Sequence, residues 1–225
     1  MCKGVAGIVS PFDDDFGFSM KTMADYDERR LYPEELELLG PKAIQKRRKE
    51  FCLGRSAAHS ALSKINITNF PILKGGHNEP IWPPGVAGAI SHSSEIALAA
   101  VARKEKSAGV GLDIELLDET ISTDIVKLIC TLREAEWVAA GKEQRIERML
   151  MIFSAKESAF KAFFSLMNVF ISYLDFELIW DETAGHFEGR LLTSIRTEYG
   201  EGYTFEVGCK KFAQYIYTFM SLPPV

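Results

Sequence analysis

Residues 108–115 read AGVGLDIE. The octet is a short apolar run ending in two acids one residue apart, Asp113 and Glu115. Its length and its place among turn-formers predict a strand. Side chains alternate across a strand, so both carboxylates project from one face. The runs before it, residues 86–91 (VAGAIS) and 96–102 (IALAAVA), read as strands as well. After Asp118 the pattern turns helical, over 121–129, 132–140 and a stretch from about 143 to 166 that lacks Gly and Pro.

Two helix-plus-sheet halves meeting near residue 116 are the simplest arrangement of this order. In the first half, residues 5–9 (VAGIV) read as a strand. Residues 41–64 carry a helical pattern with Ala43, Ile44, Phe51, Ala58 and Leu62 on one broad face. Residues 75–85 concentrate Gly and Pro and predict a loop. In the second half, the segments 170–180, 185–192, 203–209 and 214–222 are rich in β-branched and aromatic residues and predict antiparallel strands. The class is therefore α+β, with no repeat of fixed period and no low-complexity tract.

Bulk composition excludes several functions. The chain has 225 residues, 47% of them hydrophobic, and a formal net charge of −5. That length can bury a sizeable core, and the acidic balance argues against a general nucleic-acid or membrane-surface binder. No apolar run is long enough to span a bilayer, and the first 15 residues lack the apolar core of a secretory signal. A cytoplasmic protein is expected. The four cysteines, at 2, 52, 130 and 209, have no paired spacing and predict reduced thiols.

Chemistry gathers in four stretches. Asp113 and Glu115 suit Mg²⁺, which takes carboxylate and water ligands and shares its shell with substrate phosphates. An isolated DxE is more often a pair of solvated acids. Residues 153–162 (FSAKESAFKA) place Glu157 and Lys161 four apart, on one helix face. Alone, that is a surface ion pair worth a few tenths of a kcal/mol. Residues 89–94 (AISHSS) put Ser91 and His92 at a strand end. Residues 46–55 (KRRKEFCLGR) form a cationic patch suited to a phosphate. There, helix geometry puts Arg48 rather than Arg47 on the face of Arg55.

Order and spacing of these stretches together resemble the Sfp-type 4'-phosphopantetheinyl transferases, closest to the enterobactin-synthase-component subgroup. The resemblance rests on residues 46–55, 72–85 (ILKGGHNEPIWPPG), 88–93 (GAISHS), 110–115 (VGLDIE) and 153–162. It implies a pseudo-dimer of two similar subdomains, 1–115 and 116–225, with the active site in the cleft between them. It further implies transfer of the 4'-phosphopantetheine arm of coenzyme A to a serine of an apo acyl, peptidyl or aryl carrier protein. The alternative is a coenzyme A-binding module that transfers nothing.

Carried over position by position, Asp113, Glu115 and Glu157 match the ligands of Mg²⁺, or of Mn²⁺ in its place. Lys161 matches the lysine that contacts the phosphates, and Glu157 and Lys161 become the catalytic pair. Arg47, Arg55, Lys74, Ser91, His92 and Lys156 match coenzyme-binding positions, as does Asp113. Arg47 is thus favoured by the resemblance and Arg48 by helix geometry. Two departures stand out: His77 and Asn78 occupy a place where relatives often carry a basic residue, and Phe153 stands where many have tryptophan. The resemblance leans toward siderophore synthesis and toward a monomer.

Overall fold

The computed structural model describes residues 8–118, 122–167 and 169–224. Its first half opens with β1 (Phe16–Thr22), the short helix α1 (Pro33–Glu37) and the long helix α2 (Gln45–Lys64). A two-residue ladder, β2 (Leu73–Lys74) with β3 (Pro80–Ile81), leads to the hairpin β4 (Val86–Ser93) and β5 (Ile96–Arg103). The second half begins with β6 (Gly109–Leu116), then α3 (Val126–Ile129), α4 (Leu132–Ala140) and α5 (Arg145–Met167). Four strands finish it: β7 (Phe176–Asp181), β8 (His186–Leu191), β9 (Thr204–Phe212) and β10 (Tyr215–Leu222).

Each half is an antiparallel sheet with one long helix across it. The first sheet has the order β1-β5-β4 and the second β6-β10-β9-β8-β7. Alternation along β5 shows why the run 96–102 is apolar throughout. Ala97, Ala99 and Val101 pack under α2, while Ile96, Leu98, Ala100 and Ala102 share a core with Val110, Leu112 and Ile114 of β6. A strand buried on both faces carries no polar alternation.

Close approach of helix to strand depends on glycine in both halves. A Cβ on Gly17 of β1 would lie 2.0 Å from the Ala61 carbonyl oxygen of α2, and one on Gly111 of β6 would lie 2.0 Å from that of Ser158 in α5. The halves repeat a polar device too. Glu35 of α1, fully buried, accepts from the Tyr32 N–H (3.0 Å) and the Ile72 N–H (2.8 Å), with His59 Nε2 of α2 at 2.8 Å. Glu134 of α4 accepts from the Thr131 N–H (2.6 Å), the Leu178 N–H (2.6 Å) and Lys156 Nζ of α5 (2.8 Å). In each half one buried carboxylate caps a short helix and ties a further backbone N–H, Ile72 just before β2 or Leu178 of β7, to the long helix.

Several sequence expectations shift. The strand 108–115 was assigned to the first half, but β6 pairs with β10 along its whole length, so the halves meet near residue 109. The expected strand at 5–9 lies largely outside the described residues, and β1 begins at Phe16 instead. Helix α2 starts only at Gln45, leaving Ile44 exposed at its cap. Residues 170–175 form a loop, and the strand starts at Phe176. Among the described residues no helix is long and apolar enough to cross a membrane.

Candidate active site

The two halves meet where β4 runs beside β6. Side chains of β4 stitch the strands: the Ile114 N–H donates to Ser91 Oγ (3.4 Å), and the Leu116 N–H to Ser93 Oγ (3.0 Å). With Val110, Leu112 and Ile114 turned to the shared core, Gly111, Asp113 and Glu115 face α5. That register brings Asp113 against Lys161, whose Nζ donates to Asp113 Oδ1 at 2.7 Å and to the Leu112 carbonyl at 3.3 Å. Glu157 Oε2 lies 3.7 Å from the same ammonium. Burial works against that ammonium, but the charges of Asp113 and Glu157 outweigh it and hold Lys161 above its ordinary pKa.

Acid outnumbers base in this corner. Burial, with the Asp113 and Glu157 carboxylates, pushes Glu115 up to about 8, against the opposing pull of Lys161. Asp113 Oδ2 is buried with no hydrogen-bond partner among the described residues. A buried acceptor without a donor costs about 1–3 kcal/mol, so this corner is short of positive charge. No three His, Cys, Asp or Glu side chains among the described residues converge into a ready-made metal cage. The donor set nevertheless suits a hard cation that keeps most of its shell as water and phosphate oxygen.

On the opposite wall the imbalance is reversed. Arg47, Arg55 and Lys74 surround the ring of Phe51, at 5.9, 4.7 and 5.6 Å from its centroid. Arg55 is buried, its Nε has no partner among the described residues, and burial pushes it down to about 10. Lys74 is lowered by burial and then by Arg47 and Arg55. Three cations held together with their desolvation only partly repaid make a receptor for a polyanion. His92 lies between the walls, and burial, with Arg47 and Lys161 adding to it, lowers its pKa and keeps its ring neutral.

Arg48 is committed elsewhere. Its guanidinium holds Glu28 through two bonds of 2.9 and 2.5 Å, whereas Arg47 lies on the Phe51 side. Lys156 needs correction as a coenzyme contact. One residue before Glu157, it points about 100° away around the helix. Its ammonium is fully buried and spends its donors on Glu134 and on the carbonyls of Tyr173 (2.6 Å) and Phe176 (2.7 Å). Ser91 also turns inward, donating to Asp113 Oδ1 at 2.7 Å, so it positions the acid.

Two participants escaped the sequence reading. Tyr173 donates its hydroxyl to Glu157 Oε1, and burial, then the Glu157 charge, raise its pKa and keep it protonated. Nothing local in the sequence marks it. Glu134 was legible in part, because Thr131 and Glu134 stand at capping-box spacing before an apolar helix. Beside Lys161 opens a cavity of 690 Å³ lined by Trp82, Ile90, Phe160, Phe164 and Phe170. The turn between β2 and β3 reaches across it, setting His77 edge-on to Phe164 at 5.8 Å.

Comparison with known proteins matches both halves separately. A family model described as the 4'-phosphopantetheinyl transferase N-terminal domain fits residues 34–102, and one described as the 4'-phosphopantetheinyl transferase superfamily fits residues 109–214. The chain is 34% identical over 164 residues to 4'-phosphopantetheinyl transferase Svp of Streptomyces mobaraensis, covering 72% of this chain and 66% of that one. It is 30% identical over 183 residues to 4'-phosphopantetheinyl transferase Npt of Nocardia iowensis, covering 75% and 81%. Enterobactin synthase component D of Escherichia coli O157:H7 is 35% identical over 142 residues, covering 62% and 66%.

Proposed function

The chain belongs to the 4'-phosphopantetheinyl transferase superfamily, and from that membership we propose how its cleft moves the arm of coenzyme A to a carrier protein. The observation that carries the reading is the pairing, across one cleft, of a cationic wall with an acid corner that lacks positive charge. Arg47, Arg55 and Lys74 take the nucleotide phosphates, and His92 adds a neutral ring beside them. The apolar cavity next to Lys161 has room for the pantetheine arm.

Asp113, Glu115 and Glu157 would hold Mg²⁺, or Mn²⁺ in its place, which when bound neutralises pyrophosphate charge. The orphaned Asp113 Oδ2 and the strained Glu115 support that assignment. In the transfer, a carrier serine oxygen bonds to the β-phosphorus while the pyrophosphate P–O bond breaks and 3',5'-ADP departs with the electron pair. Glu157 accepts the serine proton at Oε2, the oxygen that Tyr173 leaves free, a role that competes with holding the cation at the same atom. Lys161 stabilises charge on the phosphoryl oxygens.

Likeness to enterobactin synthase component D supports a peptidyl or aryl carrier of a siderophore synthetase as the acceptor. Both walls of the cleft come from one chain, which supports a monomer, and use of coenzyme A supports action in the cytoplasm. The test is intact-mass analysis of apo carrier proteins from peptide, polyketide and fatty-acid synthases, incubated with the chain, coenzyme A and Mg²⁺, with and without EDTA. Gain of one phosphopantetheine mass that disappears with EDTA is the expected result. Coenzyme A binding with no gain on any carrier would instead mean a non-catalytic binding module.

A further inference from the structure

Lys156 and Glu157 are neighbours in sequence yet point about 100° apart around α5, one into the second half's core and the other into the cleft. The loop at 169–175 connects them. Its Tyr173 carbonyl accepts from Lys156 Nζ at 2.6 Å, while its Tyr173 hydroxyl donates to Glu157 Oε1. The Tyr173 ring stands edge-on to Phe160 of α5 at 6.1 Å, so side chain and backbone are both tied to the helix. Further along, the Ser172 N–H donates to Asp175 Oδ2 (2.7 Å), and the Leu192 N–H donates to the Asp175 carbonyl (2.8 Å).

The internal repeat isolates what is special here. In the first half, Glu35 holds a helix cap, the Ile72 N–H just before β2, and His59. Glu134 does the same with Lys156, but the lysine has donors left over, and it uses them on the Tyr173 and Phe176 carbonyls. Those two bonds are additions to the shared device, and one of them fixes the residue that grips Glu157.

We propose that Tyr173 is a positioning residue for Glu157, and that Lys156 serves the reaction only by anchoring Tyr173. The hydroxyl occupies Oε1 and fixes the carboxylate plane, leaving Oε2 on the Lys161 side for a cation or a proton. A side chain with three rotatable bonds is thereby held ready before any substrate arrives. This inference rests on the proposed transfer chemistry.

The test compares wild type, Tyr173→Phe, the neutralised pair Glu134→Gln with Lys156→Met, and the combination of all three. The readouts are kcat and KM for coenzyme A, Mn²⁺ binding in the presence of coenzyme A by electron paramagnetic resonance, and Tm. Tyr173→Phe keeps every apolar contact, so Tm and KM are expected to stay near wild type. Partners that orient a ligand typically contribute ~10–100-fold, so kcat is expected to fall by at least ~10-fold and Mn²⁺ binding to weaken several-fold. The neutralised pair is expected to lose similar kcat, and adding Tyr173→Phe to it to cost little more, because both changes break one chain of contacts.

Wild-type kcat and Mn²⁺ binding in Tyr173→Phe would overturn the positioning role. Fully additive losses in the combined variant would overturn the link through Lys156. A wild-type chain that modifies no carrier would refute the transfer reading instead, and Mn²⁺ binding to Tyr173→Phe would still decide the role of Tyr173.

Discussion

Replacing Glu115 by Gln is expected to stabilise the metal-free protein above neutral pH and to leave it unchanged in acid. Burial, then the charges of Asp113 and Glu157, raise Glu115 from its ordinary 4.5 to about 8. The unfolded chain ionises near the ordinary value, so between the two values unfolding releases a proton. Stability from this group is therefore full below about pH 4.5 and is lost as pH rises through about 8. At ~1.4 kcal/mol per tenfold change, the displacement has a ceiling of ~5 kcal/mol. Because Glu115 is only half-buried, solvent screening reduces this to ~2–3 kcal/mol. For a chain of this size each kcal/mol moves Tm by ~2–4 °C. The Gln variant should then melt ~5–10 °C above wild type at pH 8.5 in EDTA, and level with it near pH 4.5, by circular dichroism. Excess Mg²⁺ should close the gap by raising wild type. An equal difference at both pH values would refute the account of the acid corner.

Four other substitutions probe separate parts of the argument. Gly111→Ala places a Cβ 2.0 Å from the Ser158 carbonyl oxygen, so α5 must shift, with ~1–3 kcal/mol or more lost; denaturant unfolding measures it. Arg47→Ala is expected to raise KM for coenzyme A ~10-fold with Tm unchanged. Arg48→Ala is expected to leave KM alone and to lower stability only slightly through loss of the Glu28 pair, and the reverse pattern would restore Arg48 to the cleft. Glu157→Gln should abolish transfer without changing circular dichroism, and substantial retained activity would remove Glu157 from the chemistry.

The parts of the fold that sequence revealed are those set by local pattern. Helix α4 has the bounds expected from its helical pattern, Leu132–Ala140, and Thr131 caps it. The end strands β9 and β10 were legible from their aromatic and β-branched content. The assignment of β6 failed for a nonlocal reason: its partner, β10, is about a hundred residues away in the chain, and no local pattern records such pairing. Residues 170–175 misread as strand because Phe170 and Tyr173 are aromatic to line the cleft and hold Glu157, not to fill a sheet.

Lys156 shows the same limit in the candidate site. A lysine in a helix normally belongs to solvent, and only the arrival of Glu134 and two loop carbonyls makes its burial tolerable. The two halves solve one packing problem with one buried glutamate each, yet they present opposite charges to the cleft. Helix α2 contributes Arg47 and Arg55, whereas α5 contributes Glu157 and a lysine already shared with Asp113. A polyanion entering such a cleft has one favourable orientation, with its bulk charge on the α2 wall and only the bond to be broken near the acids. Equal charge on both walls would remove that preference. The repeated architecture thus supplies the cleft, and the divergence of its two long helices supplies the direction in which a substrate lies.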